Sequence, residues 1–295
     1  MQIHRGGIRE DEKTRRRVSL HPDTVIPLQR FAWLPLLGVV ACAGGAPRAS
    51  TAAPTDDPPA IGTFSILAYD SASGQWGGAV QSRVFSVGNG VLWGEAGVGM
   101  VATQAVVDVS YGPKALALLR QGKSAAEVIK QVWAQDPDPL PDTGRTGWAK
   151  SGRQFAVVDA KGNVAAYTGP TAPTQASDKQ GPHVTAQGNT LAAKAVTDSM
   201  VAAFERTPGV LALRLVAALE AGQAAGGDYR GQQSAAMLIV KKCGGVWLHN
   251  DVVLRLQVDD NPAPIAELRR LVAMSPPGRG RSAATTNAGN DPQCR

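Results

Sequence analysis

The order of strand-like and helix-like segments predicts an α+β fold in which two β-sheets lie stacked between layers of helices. Strands, two helices, strands, two helices and closing strands follow one another along the chain. Each helical pattern has one apolar face, so each pair of helices is expected to cover a sheet rather than stand alone. A three-layer α/β arrangement is the alternative that the pattern leaves open.

A β-hairpin is predicted at the start of the domain. Residues 62–70 read as a strand with Phe64, Ile66 and Ala68 on one face, and residues 75–83 read as the strand that returns. The glycine-containing residues that follow, up to position 95, predict a loop, and a third strand is expected over the next nine residues.

Helices and further strands follow, and residues that start or end helices indicate some of their bounds. Pro113 is expected to start a helix that Gly122 ends, and Ser124 with Glu127 forms a capping box that opens the next helix. Loops are expected over 136–151 and 169–186. The remaining predicted elements are a hairpin over 154–167, helices carrying Val196–Phe204 and Leu211–Leu219, strands over 234–242 and 253–259, and a helix over 264–273.

The charge of the chain is concentrated outside its presumed domain. The net charge is +6, of which residues 1–30 contribute +3 and residues 276–295 contribute +2, so that 31–275 carries about +1. A nucleic-acid-binding protein would concentrate basic residues on one face, and no such cluster occurs between 63 and 275. Nucleic acid is therefore not an expected partner.

Residues 1–42 predict an export signal. Arginines precede the apolar run Phe31–Ala41, which is too short to span a bilayer and suits the h-region of a signal peptide. Val39–Cys42 resembles the bacterial lipoprotein box, which would place a lipid on Cys42 and attach the protein to the membrane. Ordinary secretion by cleavage near Ala41 is the alternative, so the protein is expected to be periplasmic or lipid-anchored to the envelope.

Two further segments have the composition of flexible chain. Residues 43–62 are rich in Ala, Pro, Thr and Gly and predict a linker, and residues 276–295 predict a disordered tail. Of the three cysteines, Cys243 and Cys294 remain if Cys42 is lipidated or removed. They either form a disulfide or stay free thiols, and the sequence leaves both open.

Thr63 stands directly after a glycine at the head of the first strand. If the Gly62–Thr63 bond were cut, Thr63 would carry a hydroxyl nucleophile and a free α-amine, which titrates near pH 8 and can serve as its base. The alternative is that Thr63 is an ordinary β-branched residue at the start of a strand.

A series of motifs spread over residues 63–273 has the spacing of a known family. These motifs are Thr63–Ile66, Gly78–Ser82, Ala96–Gly99, Val101–Gln104, Tyr111–Gly112, Val157–Asp159, Gln187–Asn189, Ala221–Gly222, Ala225–Asp228, Arg230–Gly231, Gln233–Ala235 and Val258–Asp260. Together they resemble the bacterial DUF1028 family, which is placed among the N-terminal-nucleophile (Ntn) hydrolases. The resemblance implies a domain over 63–275 with the four-layer αββα sandwich of proteasome subunits and penicillin acylases. It also implies hydrolysis of an amide bond.

Two departures from the family pattern concern side chains that relatives carry. Residues 170–183 lack the Cys, Trp and Gly-His cluster of those relatives, and Asp259–Asn261 stands where they have Asp-Asp-His. If the missing side chains bind substrate or metal, this member has altered specificity or reduced activity.

Five residues are predicted to be catalytic, with Thr63 as the nucleophile. Ser82 or Arg83 would hold the α-amine neutral or fix the hydroxyl, although both fit ordinary strand-end polarity. Asn189, in a predicted turn, would donate to the oxyanion or cap the following helix. Asp228 would orient the α-amine or form a salt bridge with Arg230. The residues expected to bind substrate are Gln81, Thr103, Gln104, Gln187 and Arg230.

The sequence predicts neither a metal nor a cofactor. His183 and His249 have no metal-ligand spacing with a cysteine, and the glycine-rich stretches match neither a P-loop nor a dinucleotide fingerprint. The expected partner is a small amide or peptide-like substrate, and assembly into a homo-oligomer is left open. The predicted function is an exported Ntn hydrolase, and the alternative is a catalytically silent envelope-associated binding or scaffold protein on the same fold.

Overall fold

The protein is described by a computed structural model covering residues 62–138, 149–245, 250–275 and 294. The export signal with Cys42, the linker up to residue 61 and the tail over 276–293 lie outside these residues, so those predictions stay predictions.

The described residues form a mixed α+β fold with two antiparallel sheets and five α-helices. The strands are β1 (Thr63–Asp70), β2 (Gln75–Ser82), β3 (Leu92–Glu95), β4 (Gly99–Ala105), β5 (Arg153–Val158), β6 (Val164–Thr168), β7 (Ser177–Gly181), β8 (Val184–Asn189), β9 (Ser234–Val240) and β10 (Val252–Val258). The α-helices are α1 (Tyr111–Arg120), α2 (Ala125–Ala134), α3 (Ala195–Arg206), α4 (Leu211–Ala224) and α5 (Pro264–Met274). None of these helices is both long and apolar enough to cross a membrane.

The larger sheet has β1 near its centre. Its strand order is β10-β9-β2-β1-β8-β7, so β1 pairs with β2 on one side and with β8 on the other. Thr63, the first residue of β1, stands opposite Ser82 on β2 and Asn189 on β8. The smaller sheet has the order β3-β4-β5-β6. The described residues therefore form two sheets, whereas the three-layer α/β alternative requires a single sheet.

Three hydrophobic clusters hold the sheets and helices together. The alternation of β1 places Phe64, Ile66 and Ala68 in the cluster that also contains the apolar faces of α3, α4 and α5, as the sequence predicted. Leu67 lies on the opposite face of β1, in a second cluster that joins the two sheets. The third cluster packs α1 and α2 against β4 and β5.

Most elements agree with the sequence predictions. The hairpin of β1 and β2, the strand pair β5 and β6, and the helices lie within a few residues of their predicted bounds. The capping box is confirmed: the Ser124 hydroxyl accepts from the Glu127 N–H while the Glu127 carboxylate accepts from the Ser124 N–H.

Two loop predictions are wrong because edge strands lack a strong apolar pattern. The segment predicted as a loop up to residue 95 contains β3, and the segment 169–186 contains β7 and the first half of β8. β7, with the sequence Ser-Asp-Lys-Gln-Gly, forms the polar edge of the larger sheet, where charged side chains are common. Gln187 and Asn189, predicted in a turn, therefore lie on β8.

The cysteine alternative resolves as a disulfide. Cys243 is bonded to Cys294, and their Cα atoms lie 5.6 Å apart. This bond fixes residue 294 to the turn after β9.

Candidate functional site

Thr63 is buried at the centre of a polar group of side chains. Its Oγ1 lies 3.1 Å from the Ser82 Oγ across the β1–β2 pair. Its carbonyl oxygen accepts from Gln104 Nε2 at 3.3 Å and from Asn189 Nδ2 at 3.5 Å. Residues from both sheets thus meet at the head of β1.

A short hydrogen-bond chain joins the Thr63 hydroxyl to the carbonyl before it. Ser82 donates its hydroxyl hydrogen to the Gly62 oxygen. A hydroxyl has only one hydrogen to donate, so Thr63 must be the donor in its contact with Ser82. The chain therefore runs from the Thr63 hydroxyl through Ser82 to the Gly62 oxygen.

The same carbonyl has a second donor, the guanidinium of Arg230. Arg230 Nη2 lies 2.8 Å from the Gly62 oxygen. Asp228, whose side chain is fully buried, holds this guanidinium through two contacts of 3.0 and 2.6 Å. The salt bridge that the sequence offered as one alternative for Asp228 is formed. Two donors on one carbonyl, one of them charged, is the arrangement that stabilises a developing oxyanion.

The position of Gly62 admits no side chain. A Cβ built on this residue would collide with Thr190, Arg230 and Asp228. Thr190 itself has a left-handed backbone, with φ of 50°, and its hydroxyl donates to the Asn189 carbonyl at 2.6 Å. The residue before Thr63 is therefore held in a space shaped for glycine.

We call the uncharged buried residues around Thr63 the threonine cluster; its members are Thr63, Ser65, Ser82, Gln104, Gln154, Gln187 and Asn189. Gln104 and Gln154 stand opposite each other on β4 and β5, and Gln104 Nε2 donates to Gln154 Oε1 at 2.9 Å. Ser65 on β1 donates to Gln104 at 2.5 Å and accepts from Gln187 at 2.6 Å. These bonds tie the two sheets together beneath Thr63.

One atom of the threonine cluster has no partner. Asn189 Nδ2 donates to Gln154 at 3.1 Å and to the Thr63 carbonyl, but Asn189 Oδ1 is buried without a hydrogen-bond partner. Such an atom in a native fold needs an explanation, and a ligand or water is one. Asn189, predicted to donate to an oxyanion, here uses its amide to position Thr63.

Three predicted site residues lie away from the Thr63 hydroxyl. Arg83 is exposed and donates to Gln233 Oε1 at 3.2 Å. Gln81 stands opposite Phe64, on the face of β1 and β2 that packs against helices, and its Nε2 is 3.5 Å from the Gly231 carbonyl. Thr103 donates to the Asp108 carbonyl at 3.2 Å.

Gln154 and Ser65 belong to the cluster but were not predicted. Gln154 is the second residue of β5, and the later residues of its face, Ala156 and Val158, are apolar. Ser65 is the third residue of β1 and lies between Thr63 and the apolar Leu67 on the same face. A buried polar residue on an apolar face is a signal that can be read from strand alternation.

A cavity of about 160 Å³ opens beside Thr63. Thr63 and Gln104 are the members of the threonine cluster that line it, and the other walls come from the loop after β2 and the loop after β4. The nucleophile candidate is thus buried under its neighbours yet borders a space that a small molecule could enter.

A second buried polar group, which we call the arginine cluster, consists of Tyr111, Asp136 and Arg153. Asp136 Oδ2 accepts from the Tyr111 hydroxyl at 2.5 Å and from Arg153 Nε at 2.9 Å. Burial raises the pKa of Tyr111, and its hydrogen bond to Asp136 raises it further. Burial alone would raise the pKa of Asp136, but the hydrogen bonds from Arg153 and Tyr111 outweigh it and hold this pKa below its ordinary value.

Within the described ranges, no group of three or more His, Cys, Asp or Glu side chains is arranged to hold a metal ion. His183 lies in the turn between β7 and β8, and its Nδ1 is 2.9 Å from the Gly162 carbonyl oxygen.

Comparisons with known proteins place the chain in a family. The family described as "Family of unknown function (DUF1028)" matches residues 63–268, so the chain belongs to the DUF1028 family. The crystal structure of the DUF1028 protein SPO2555 from Silicibacter pomeroyi is similar to this chain, with 31% sequence identity and a TM-score of 0.64. That likeness covers 73% of this chain and 86% of the other.

A weaker likeness joins the chain to Anbu (ancestral beta-subunit) from Yersinia bercovieri. Its identity is 11% and its TM-score 0.33, with 74% of this chain and 94% of the other covered, and at that score it carries no argument. No curated protein matches the chain.

Proposed function

We propose that this DUF1028 protein is an exported Ntn-type hydrolase that cleaves an amide bond of a small substrate with Thr63 as its N-terminal nucleophile. The fold we propose is the four-layer αββα sandwich of that superfamily. The three hydrophobic clusters, one between the sheets and one between each sheet and its helices, support this arrangement.

The observation that carries the proposal is the environment of the Gly62 carbonyl. It belongs to the bond that must break before Thr63 can become N-terminal, and it accepts from both Ser82 and Arg230. A carbonyl held in this way is polarised for attack, and the hydroxyl of Thr63 lies at the other end of the Ser82 hydrogen-bond chain.

Cleavage of the Gly62–Thr63 bond would proceed through an ester. Thr63 Oγ1 attacks the Gly62 carbonyl carbon and gives its hydrogen to Ser82, while Ser82 gives its own hydrogen to the carbonyl oxygen. The C–N bond then breaks as the carbonyl re-forms and the hydrogen on its oxygen passes to the nitrogen, which leaves an ester between Gly62 and the Thr63 oxygen and a free α-amine. Water hydrolyses the ester, releases Gly62 as a carboxylate and restores the hydroxyl.

The groups that hold Gly62 would then serve the substrate. Once residue 62 has left, Ser82 and Arg230 can donate to the carbonyl of a substrate amide in the same place. The new α-amine takes the hydrogen of the Thr63 hydroxyl as it attacks, and passes it to the leaving amine as the C–N bond of the substrate breaks. A water molecule activated by the same amine releases the acyl group from Thr63.

Export is the second part of the proposal. The signal-like segment that ends at Cys42 motivates it, and the disulfide between Cys243 and Cys294 supports it. Structural disulfides persist in oxidising compartments and are rare in the cytosol of mesophiles. Peptide mapping without reductant, on protein recovered from the periplasm or membrane fraction, should find the two cysteines linked. Two alkylatable thiols in that fraction would contradict this part.

Intact-mass measurement of the mature protein tests the nucleophile directly. We expect a species that begins at Thr63 and that hydrolyses acyl amides, and no hydrolysis by chains that retain residue 62. If every mature chain begins at or before residue 43, the α-amine of Thr63 never becomes free. The catalytically silent binding or scaffold protein would then be the better reading.

A further inference from the structure

We propose that the cavity beside Thr63 binds a small, uncharged, apolar acyl group, so that the substrates are amides of short aliphatic or arylacetic acids. This inference rests on the proposed function and names its substrate class. It is carried by the chemistry of the cavity walls, by the hydrogen bonds that hold them and by the presence of Thr63 in the lining.

The walls of the cavity are mostly apolar and carry no charge. Besides Thr63 and Gln104, the polar side chain in the lining is Ser86, whose hydroxyl donates to Asp259 at 2.6 Å. Val84, Phe85 and Val91 come from the loop after β2, and Val107 and Val109 come from the loop after β4. Phe85 is 68% exposed and Val109 is 49% exposed, and large apolar side chains exposed side by side mark binding sites. An ionised group placed between these valines would lose its hydration without gaining a partner.

The walls are fixed before any ligand arrives. In the first loop, Ser234 donates to the Val84 carbonyl at 2.5 Å and accepts from the Val87 N–H at 3.1 Å. In the second loop, Arg153 donates to the Val106 carbonyl at 2.8 Å. Because buried side chains hold both loops, the cavity is preformed and the entropy cost of binding is low.

The size of the cavity limits its occupant. An apolar cavity of about 150 Å³ accepts a benzene molecule, so about 160 Å³ accommodates a branched four-carbon chain or a phenyl ring. The occupant is the acyl group because that part of the substrate stays bonded to Thr63 Oγ1 after the amine has left. The cavity that borders Thr63 must therefore hold it through both steps.

A series of p-nitroanilides with one common amine tests the proposal. With protein processed to Thr63, kcat/KM should rise about fourfold per added methylene from acetyl to isovaleryl. It should stay high for phenylacetyl and fall by about 100-fold for succinyl, which brings a charge. Equal rates across the series, or a preference for succinyl, would overturn the apolar assignment and leave the hydrolase proposal standing.

A charge introduced at the rim of the cavity should change the substrate preference, which a purely structural effect would leave unchanged. Phe85→Glu changes an exposed side chain, so folding should be unaffected. It should lower kcat/KM for isovaleryl p-nitroanilide about tenfold and favour a 4-aminobutyryl substrate. Met274→Glu is the matched control, since Met274 is similarly exposed on α5. An unchanged preference in Phe85→Glu would count against the cavity as the acyl site.

Binding without turnover separates the two proposals. In valine-labelled protein, isovaleramide should shift the methyl resonances of Val91 and Val107, whereas succinamate should not. Shifts without any hydrolysis would preserve the apolar site and overturn the hydrolase. Absence of both shifts and hydrolysis would overturn both.

Discussion

The threonine cluster and the arginine cluster are both buried and polar, and they differ in charge and in how completely their atoms are paired. Asp136 and Arg153 form an ion pair in which Asp136 also accepts from Tyr111, and no atom of these three side chains is among the buried atoms without a partner. The threonine cluster has no ionisable side chain, and its Asn189 Oδ1 is unpaired.

This difference fits a structural role for the arginine cluster and the proposed chemical role for the threonine cluster. Removing one partner of a buried ion pair is strongly destabilising, because it leaves a buried charge without a counter-charge. The complete pairing of Asp136 therefore indicates that this residue stabilises the fold. Neutral amides and hydroxyls can change hydrogen-bond partners without leaving a buried charge uncompensated. A cluster of them around a hydroxyl, with one acceptor free, suits a place where bonds are made and broken.

The largest effect is expected from Thr63→Ala. Removing the nucleophile should lower the hydrolysis rate by about 10⁴-fold or more while leaving the midpoint of thermal unfolding nearly unchanged. The hydrolysis rate is measured with an acyl p-nitroanilide, and the midpoint of thermal unfolding is measured with a melting curve. Thr197→Ala, which removes another buried threonine hydroxyl on α3, should keep full activity. If a folded Thr63→Ala variant still hydrolysed the substrate, the threonine cluster would not have the chemical role that distinguishes it from the arginine cluster.

Asp136→Asn should show the opposite behaviour. Leaving Arg153 buried without its partner should cost about 3–5 kcal/mol in the free energy of unfolding, measured by urea denaturation. Asp198→Asn breaks an exposed contact of 3.8 Å with Lys179 and should cost less than about 1 kcal/mol. Similar losses in both variants would mean that the arginine cluster is not a structural centre.

Ser82→Ala sharpens the comparison within the threonine cluster. Without the Ser82 hydroxyl, the Gly62 carbonyl loses one donor and Thr63 loses its proton acceptor, so cleavage before Thr63 should slow by about 100-fold. The time course of intact mass during expression measures this rate. Ser73→Ala, in the turn at the far end of the same hairpin, should be cleaved at the normal rate. Equal rates would remove Ser82 from the proposed pathway.

The smallest effect is a difference in pH dependence. Because the pKa of Asp136 is lowered in the folded protein, its contribution to stability is present above the unfolded pKa of about 3.9 and is lost as the pH falls through the folded value. The stability gap between wild type and Asp136→Asn should therefore narrow on acidification, in urea titrations at several pH values. No side chain of the threonine cluster titrates in this acidic range, so that cluster should not contribute to the pH dependence. A stability difference between wild type and Asp136→Asn that grows on acidification would contradict the structural role assigned to Asp136.

Strand alternation and caps made much of the fold predictable. The face of β1, the capping box at Ser124 and the long helices follow from local periodicity, which a single sequence displays. β3 and β7 were missed because edge strands have one neighbour and need no continuous apolar face. A local pattern cannot reveal that the sheet depends on them.

The candidate site was predictable only where a residue type suggested chemistry by itself. The sequence predicted Thr63, Ser82, Gln104, Gln187 and Asn189 in this way, and the structure brings them together in the threonine cluster. It also predicted Asp228 and Arg230, but not the contact of Arg230 with Gly62. Gln154 joins the threonine cluster through the stacking of the two sheets, and Arg230 contacts the Gly62 carbonyl from a loop 168 residues away. Such contacts depend on tertiary packing, which the order of residues does not display.

The disulfide has a consequence for where the protein ends up. Both of its cysteines lie after position 63, and the chain has only one other, Cys42. A cut before Thr63 would therefore leave no covalent link between residues 1–62 and the domain. If Cys42 carries a lipid, the bond whose cleavage frees the α-amine is also the tether to the membrane. The proposed hydrolase would then become active and leave the envelope in a single step.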